Sequence, residues 1–170
     1  MMRDDAGGKA AEQLAAIGSL DQALRGAGLD YWLFGGWGVD FWVGRITRDH
    51  ADIDAAVWRR DYDEIRAALL AAGWRHTPLE TDVVGTRYTW QSSELELTFV
   101  EDRDGTVVVP IPDHEVVWTE EPFGDHERSL SGVRARVIPL ALLRDGKQRS
   151  REAPAEAAKD VADHAALADV

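Results

Sequence analysis

Residues 31–58 read YWLFGGWGVDFWVGRITRDHADIDAAVW, and this stretch confines the chain more tightly than any other. "YWLF" (31–34) is a short apolar strand that runs into the pair Gly35-Gly36. Val39, Trp42 and Val43 stand at i, i+3 and i+4, which predicts one or two helical turns over 37–43, closed by Gly44. "DIDAAVW" then alternates, with Ile53, Ala55 and Val57 on one face and Asp52 and Asp54 on the other. A strand, a glycine turn, a short helix and a second strand must bury their apolar sides against a common sheet. That requirement leaves few folds open.

The rest of the chain extends the same pattern. A helix is expected over Ala10–Arg25, with Leu14, Ile17, Leu20 and Leu24 near helical spacing and Gly26 and Gly28 as its stop. A second begins at Asp61, where Glu64 three places on makes an acidic variant of the capping box. Its buried stripe is Tyr62, Ile65, Leu69 and Ala72, and Gly73 ends it. Strands are expected in "WRHTPL", "TRYTWQ", "ELELTFVE", "TVVVPI" and "VRARVIPL". Pro139 starts a short helix to about Asp145, and a last helix over 153–168 turns Ala158, Val161, Ala165 and Leu167 inward. The acidic stretch 113–129 reads as a loop, with Trp118 as a stacking surface in it. The fold class is α/β (α+β): a mixed, twisted sheet flanked by helices. Residues 1–170 form one domain, with the C-terminal helix packed on it.

Composition excludes several functions. The net charge of −12, from 19 basic and 31 acidic residues, argues against a nucleic-acid partner, because that affinity rests on Lys and Arg neutralising phosphate. The same field attracts metal ions or cationic small molecules. With no cysteine, disulfides and thiolate zinc sites are excluded. No stretch approaches the roughly 18 consecutive apolar residues of a membrane span, and no signal peptide is visible at the N-terminus. A cytoplasmic location is therefore expected. His76, His114, His126 and His164 have no metal-ligand spacing.

Asp52 and Asp54, two apart on a strand, point to one face with Cα atoms roughly 6.5–7 Å apart, and can converge on Mg²⁺. Upstream, the amides of Gly35 and Gly36 and a helix N-terminus can face an anion. A phosphate cradle and a cation pair this close together are what nucleotide chemistry needs. In "ELELTFVE", Glu94 and Glu96 share a face opposite Leu95, Leu97 and Phe99. Glu96, in mid-strand, is the candidate third metal ligand or general base. Arg48 offers charge-assisted bonds to phosphate, His50 a carboxylate or nucleotide contact, and Asp40 a structural charge in the first helical turn.

The run G-G-W-x-x-D-x-W-x-G-R-x-T-R-x-H-x-D-I-D resembles the signature of the aminoglycoside and lincosamide nucleotidyltransferases, of the polymerase-beta-like superfamily. The likeness is strongest over 31–58 and continues weakly to a lysine-bearing ending with Lys147, Arg151, Lys159, Asp160 and Asp163. The resemblance implies that Asp52 and Asp54 bind Mg²⁺ with a nucleoside triphosphate and that Gly35 and Gly36 contact phosphate. It makes Glu96 the third acid, where the family usually has aspartate, and places Arg48, His50 and Lys147 or Lys159 at the nucleotide. The implied reaction transfers AMP from ATP to a hydroxyl of an aminoglycoside- or lincosamide-like antibiotic and releases pyrophosphate. A homodimer is expected to supply the acceptor wall that some relatives build from a larger C-terminal helical domain. Two alternatives stand beside this reading: an antitoxin-type enzyme that modifies a protein partner, and a catalytically silent nucleotide-binding module.

Overall fold

The computed structural model describes residues 2–80, 82–148, 154–168 and 170, and the side chains of 7–80, 82–145, 158–168 and 170. Helix α1 (Met2–Gly26) leads into β1 (Trp32–Phe34), α2 (Gly35–Val43) and β2 (Ile53–Trp58). A 3-10 turn at Arg59–Asp61 and α3 (Tyr62–Ala71) follow, then β3 (Arg75–His76), β4 (Gly85–Trp90), β5 (Ser93–Arg103), β6 (Thr106–Val109) and β7 (Val116–Thr119). The chain closes with β8 (His126–Leu130), β9 (Val133–Val137), α4 (Leu140–Gln148) and α5 (Pro154–Leu167). The sheet order is β3-β4-β5-β2-β1-β9-β8, and the far half of β5 carries β6 and then β7. β2 runs parallel to β5 and β1 parallel to β9, while the other pairs are antiparallel. The sheet is therefore mixed, as the alternation of strands and helices predicts.

Two cores cover the two faces. On one, Leu14, Ile17, Leu20 and Leu24 of α1 and Ile65 and Leu69 of α3 pack on Leu33, Ile53, Ala55, Val57, Leu95 and Leu97. Each of the leucine, isoleucine and valine side chains contributes about 1.5–3 kcal/mol before chain entropy is subtracted. On the other, Trp32, Ala56, Trp58 and Val100 meet Ile138, Leu143 of α4 and Leu167 of α5. The face of β2 that holds Asp54 thus becomes apolar at Ala56 and Trp58, so the acids sit at the open, N-terminal end of a strand otherwise buried on both sides. α2 is wedged between the cores, with Trp37 and Phe41 in the first and Val39 in the second.

Several local expectations are corrected. α1 starts at Met2, not Ala10, because its first turns carry no apolar stripe that periodicity detects. α2 starts at Gly35, so the glycine pair forms its first turn. Asp61 makes no side-chain cap, because the 3-10 turn already leads into α3. "WRHTPL" shrinks to Arg75–His76, a sheet edge that Pro78 does not extend. The loop expected over 113–129 contains β7 and β8. α5 buries Asp160, Asp163 and Leu167, whereas Ala158, Val161 and Ala165 are exposed, Val161 at 70%. No helix among the described residues is long and apolar enough to cross a membrane.

Candidate active site

Strand pairing assembles the acids. The parallel register of β2 and β5 sets Asp54 beside Glu96, and the antiparallel register of β1 and β2 sets Phe34, the last residue before the glycines, beside Asp54. Asp52 lies just before β2. One oxygen each from Asp52, Asp54 and Glu96 lies within 4.8 Å of the others, and all three side chains are half-buried. Burial pushes the Glu96 carboxyl up from its ordinary value, Asp52 and then Glu94 push it further, and Arg87 opposes them. Three hard oxygen donors that repel one another and open onto a cavity suit a Mg²⁺ ion.

The glycine pair is fixed by contact. Gly35 has φ +63°, and a Cβ there would lie 2.5 Å from Asp54 Oδ2. A Cβ on Gly36 would lie 2.2 Å from His50 Nδ1 and 2.8 Å from Arg48 Nη2. The missing side chains let the start of α2 press directly on the strand that carries Asp54 and on its flank.

His50 and Arg48 are each held by a buried acid. His50 Nε2 lies 2.6 Å from Asp40 Oδ2, and both side chains are nearly fully enclosed. The other oxygen of Asp40 accepts from the Thr47 hydroxyl and backbone N–H, and Gln13 donates to the His50 carbonyl at 3.0 Å. The Trp37 ring lies 4.9 Å from the imidazole, centroid to centroid. Arg48 donates Nε and Nη2 to the two oxygens of Asp163 at 2.8 and 2.9 Å, and Nη1 to the Asp49 carbonyl. Asp163, which comes from α5, is fully buried. This bidentate pairing raises the arginine's already high pKa and ties the C-terminal helix to the site.

These groups line a cavity of about 520 Å³. The glycine pair, the three acids, Arg48 and His50 form one side. Trp118 of β7, Leu142 and Leu143 of α4, and Lys159 and Asp160 of α5 line the rest. The Lys147 side chain and all of Arg151 lie outside the described residues; among the described residues, Lys159 lines the cavity. Of the acidic stretch 113–129, Trp118 alone among the described residues reaches the cavity. Sequence reasoning places the acids, the glycines, Arg48 and His50 together and misses what Asp163 and Asp40 hold. The only sequence signal for Asp163 is its place in the lysine-bearing ending.

Residues 16–162 match the sequence model of the aminoglycoside-2″-adenylyltransferase family. The comparison with curated proteins gives no match. Among solved structures, ANT(2″)-Ia in complex with adenylyl-2″-tobramycin superposes with a TM-score of 0.68 at 21% identity, over 93% of this chain and 88% of that one. The lincomycin-bound lincosamide antibiotic adenylyltransferase LnuA gives 0.64 at 19% identity, over 85% and 89%. An antigenic nucleotidyltransferase-like protein from Paracoccidioides brasiliensis gives 0.60 at 16%, over 92% and 75%. At these identities the solved structures show a shared fold.

Proposed function

The chain belongs to the aminoglycoside-2″-adenylyltransferase family, and from that premise we propose that it is a Mg²⁺-dependent enzyme that moves AMP from ATP to a hydroxyl of an aminoglycoside- or lincosamide-like molecule and releases pyrophosphate. Family membership makes it a nucleotidyltransferase and supports an antibiotic adenylyltransferase activity. The observation that carries the finer reading is the convergence of Asp52, Asp54 and Glu96 within 4.8 Å of one another, in a cavity that also holds the first turn of α2.

In this reading Asp52, Asp54 and Glu96 hold Mg²⁺, which when bound offsets the triphosphate charge and draws electrons from the transferred phosphorus. The amides at the start of α2 meet phosphate oxygens, favoured by the positive end of the helix dipole. Lys159 adds a cation on the opposite wall. Glu96 takes the acceptor hydroxyl's proton as the new O–P bond forms and the bond between the α-phosphorus and pyrophosphate breaks. Asp40 and Asp163 lock His50 and Arg48 against Gly36, so this wall is ordered before substrate arrives.

The test combines protein, Mg²⁺, ATP and an antibiotic panel, and follows pyrophosphate release and product mass. Asp54→Asn should lower turnover by about 10²–10³-fold, the scale seen when one electrostatic contact to a transition state is lost. The proposal fails if no acceptor gains a nucleotide and calorimetry detects no ATP binding.

A further inference from the structure

We propose that Thr98 is a specificity-determining residue of this site: its hydroxyl holds a second polar group of the acceptor, a hydroxyl or amine on the carbon next to the one that reacts. The acceptors it selects are vicinal diols and amino alcohols. This rests on the adenylyltransferase reading and names the chemistry its acceptor must carry.

The inference starts from the face of β5 that carries Glu96. Glu94, Glu96 and Thr98 are successive rungs of that face, and the next rung, Val100, is fully buried in the second core. Thr98 is therefore the last polar side chain of the strip, one rung beyond the proposed base. Its neighbours across the sheet are Gly85 on β4 and Ala56 on β2, whereas Glu96 stands between Arg87 and Asp54. Neither glycine nor alanine reaches over a flanking rung, and Thr98 stays half-buried.

Two grooves meet there. One, of about 220 Å³, contains both Glu96 and Thr98 and is bordered by Leu79, Asp82 and Val83. The other, of about 300 Å³, joins Thr98 to Val116 and Asp145, and shares Phe34, Trp118 and Leu142 with the catalytic cavity. A molecule that sets its reacting hydroxyl at Glu96 and extends into either groove must pass over Thr98. Each groove also has a carboxylate of its own, Asp82 or Asp145, to face an amine further out on the acceptor.

The hydroxyl is available to a ligand. Among the described residues Thr47 bonds to Asp40, Thr77 to Thr89 and Thr86 to His76, but the Thr98 hydroxyl has no protein partner and reaches solvent. A hydroxyl both donates and accepts, so it can serve an alcohol or an amine. Rungs two residues apart on a strand are separated by roughly 6.5–7 Å. The two oxygens of a gauche vicinal diol lie about one hydrogen bond apart. Two hydrogen bonds of about 2.8 Å with the diol between them therefore bridge the span in a bent chain. An isolated alcohol bonds Glu96 and leaves Thr98 to water.

Steady-state kinetics on the full chain with Mg²⁺ and ATP test this, with tobramycin and lincomycin as acceptors. Thr98→Val keeps the shape and removes the hydroxyl. It should raise the KM for the acceptor by about tenfold, the scale of one hydrogen bond, with the KM for ATP unchanged. Thr98→Ser keeps the hydroxyl and loses a methyl, and should stay within about threefold of the parent, so general damage to β5 does not mimic the result. As competitors of the antibiotic, trans-cyclohexane-1,2-diol should inhibit the parent about fivefold better than cyclohexanol, and the two should be equal against Thr98→Val. An acceptor KM unchanged in Thr98→Val, an equal rise in the KM for ATP, a Thr98→Ser protein as impaired as Thr98→Val, or equal inhibition of the parent by diol and cyclohexanol would overturn the inference. Turnover of neither antibiotic by the parent would refute the adenylyltransferase reading and the inference with it, whereas turnover that Thr98→Val leaves intact refutes the inference alone.

Discussion

Replacing Asp163 with alanine asks whether the C-terminal helix is anchored by charge. Asp163 is fully buried and takes both sides of the Arg48 fork, while the Arg48 side chain is 19% exposed. Removing one partner of a fully buried ion pair costs about 3–5 kcal/mol, because the other charge is left unpaired in a poor solvent. Arg48 keeps a little water and its bond to the Asp49 carbonyl, so the expected cost is about 2–3 kcal/mol. Against a total stability of about 5–15 kcal/mol that is a large share. It corresponds to a fall in Tm of about 5–10 °C for a chain of this size. Thermal unfolding followed by circular dichroism measures it. A double-mutant cycle with Arg48→Ala should give a coupling of about 1.5–3 kcal/mol. Val161→Ser, on the exposed face of the same helix, should change stability by no more than about 0.5 kcal/mol. Because Arg48 Nη2 borders Gly36, Asp163→Ala should also raise the KM for ATP. An Asp163→Ala protein that melts within about 1 °C of the parent, or a cycle with no coupling, would show that α5 is not held this way.

Gly36→Ala drives a methyl group into His50, which its bond to Asp40 holds in place. It should cost about 1–3 kcal/mol and impair turnover, as overpacking does in rigid surroundings. Gly18→Ala, inside α1 with only Val133 Cγ1 at 3.8 Å, should instead stabilise by about 0.5–1 kcal/mol, and thermal unfolding of the two variants reads the opposite signs. The raised Glu96 carboxyl predicts a pH dependence. Its proton binds the native state more tightly than the unfolded chain, so its contribution to metal-free stability is full below its ordinary 4.5 and is lost as pH rises through the higher native value. Mg²⁺ requires the ionised form, so the rise in Tm on adding Mg²⁺ should grow with pH across that interval. Glu96→Gln should flatten this dependence, and an Mg²⁺ effect that is constant with pH would refute the assignment.

What the sequence discloses and what it hides follow a physical division. The glycine pair, α2, the Asp52–Asp54 pair and Glu96 are legible because each rests on local geometry: a period of two on a strand or three to four on a helix. Only the register that sets Asp54 beside Glu96 spans the chain, and parallel pairing of two alternating strands supplies it. The errors fall where an element is held by something other than an apolar stripe. β8 is a short edge strand of largely polar residues, fixed by hydrogen bonds to β9, and its sequence gives a hydrophobic pattern nothing to detect. α5 is the sharper case. Its sequence offers an alanine-rich face and an acidic face, and the rule that apolar residues go inside picks the first. The structure buries the second, because Asp163 meets an arginine 115 positions earlier, a partner no window along the helix contains. A carboxylate turned inward is costly unless a cation waits for it. α5 is therefore placed by a buried ion pair with Arg48, a residue that lines the cavity, and apolar periodicity along the helix does not report it.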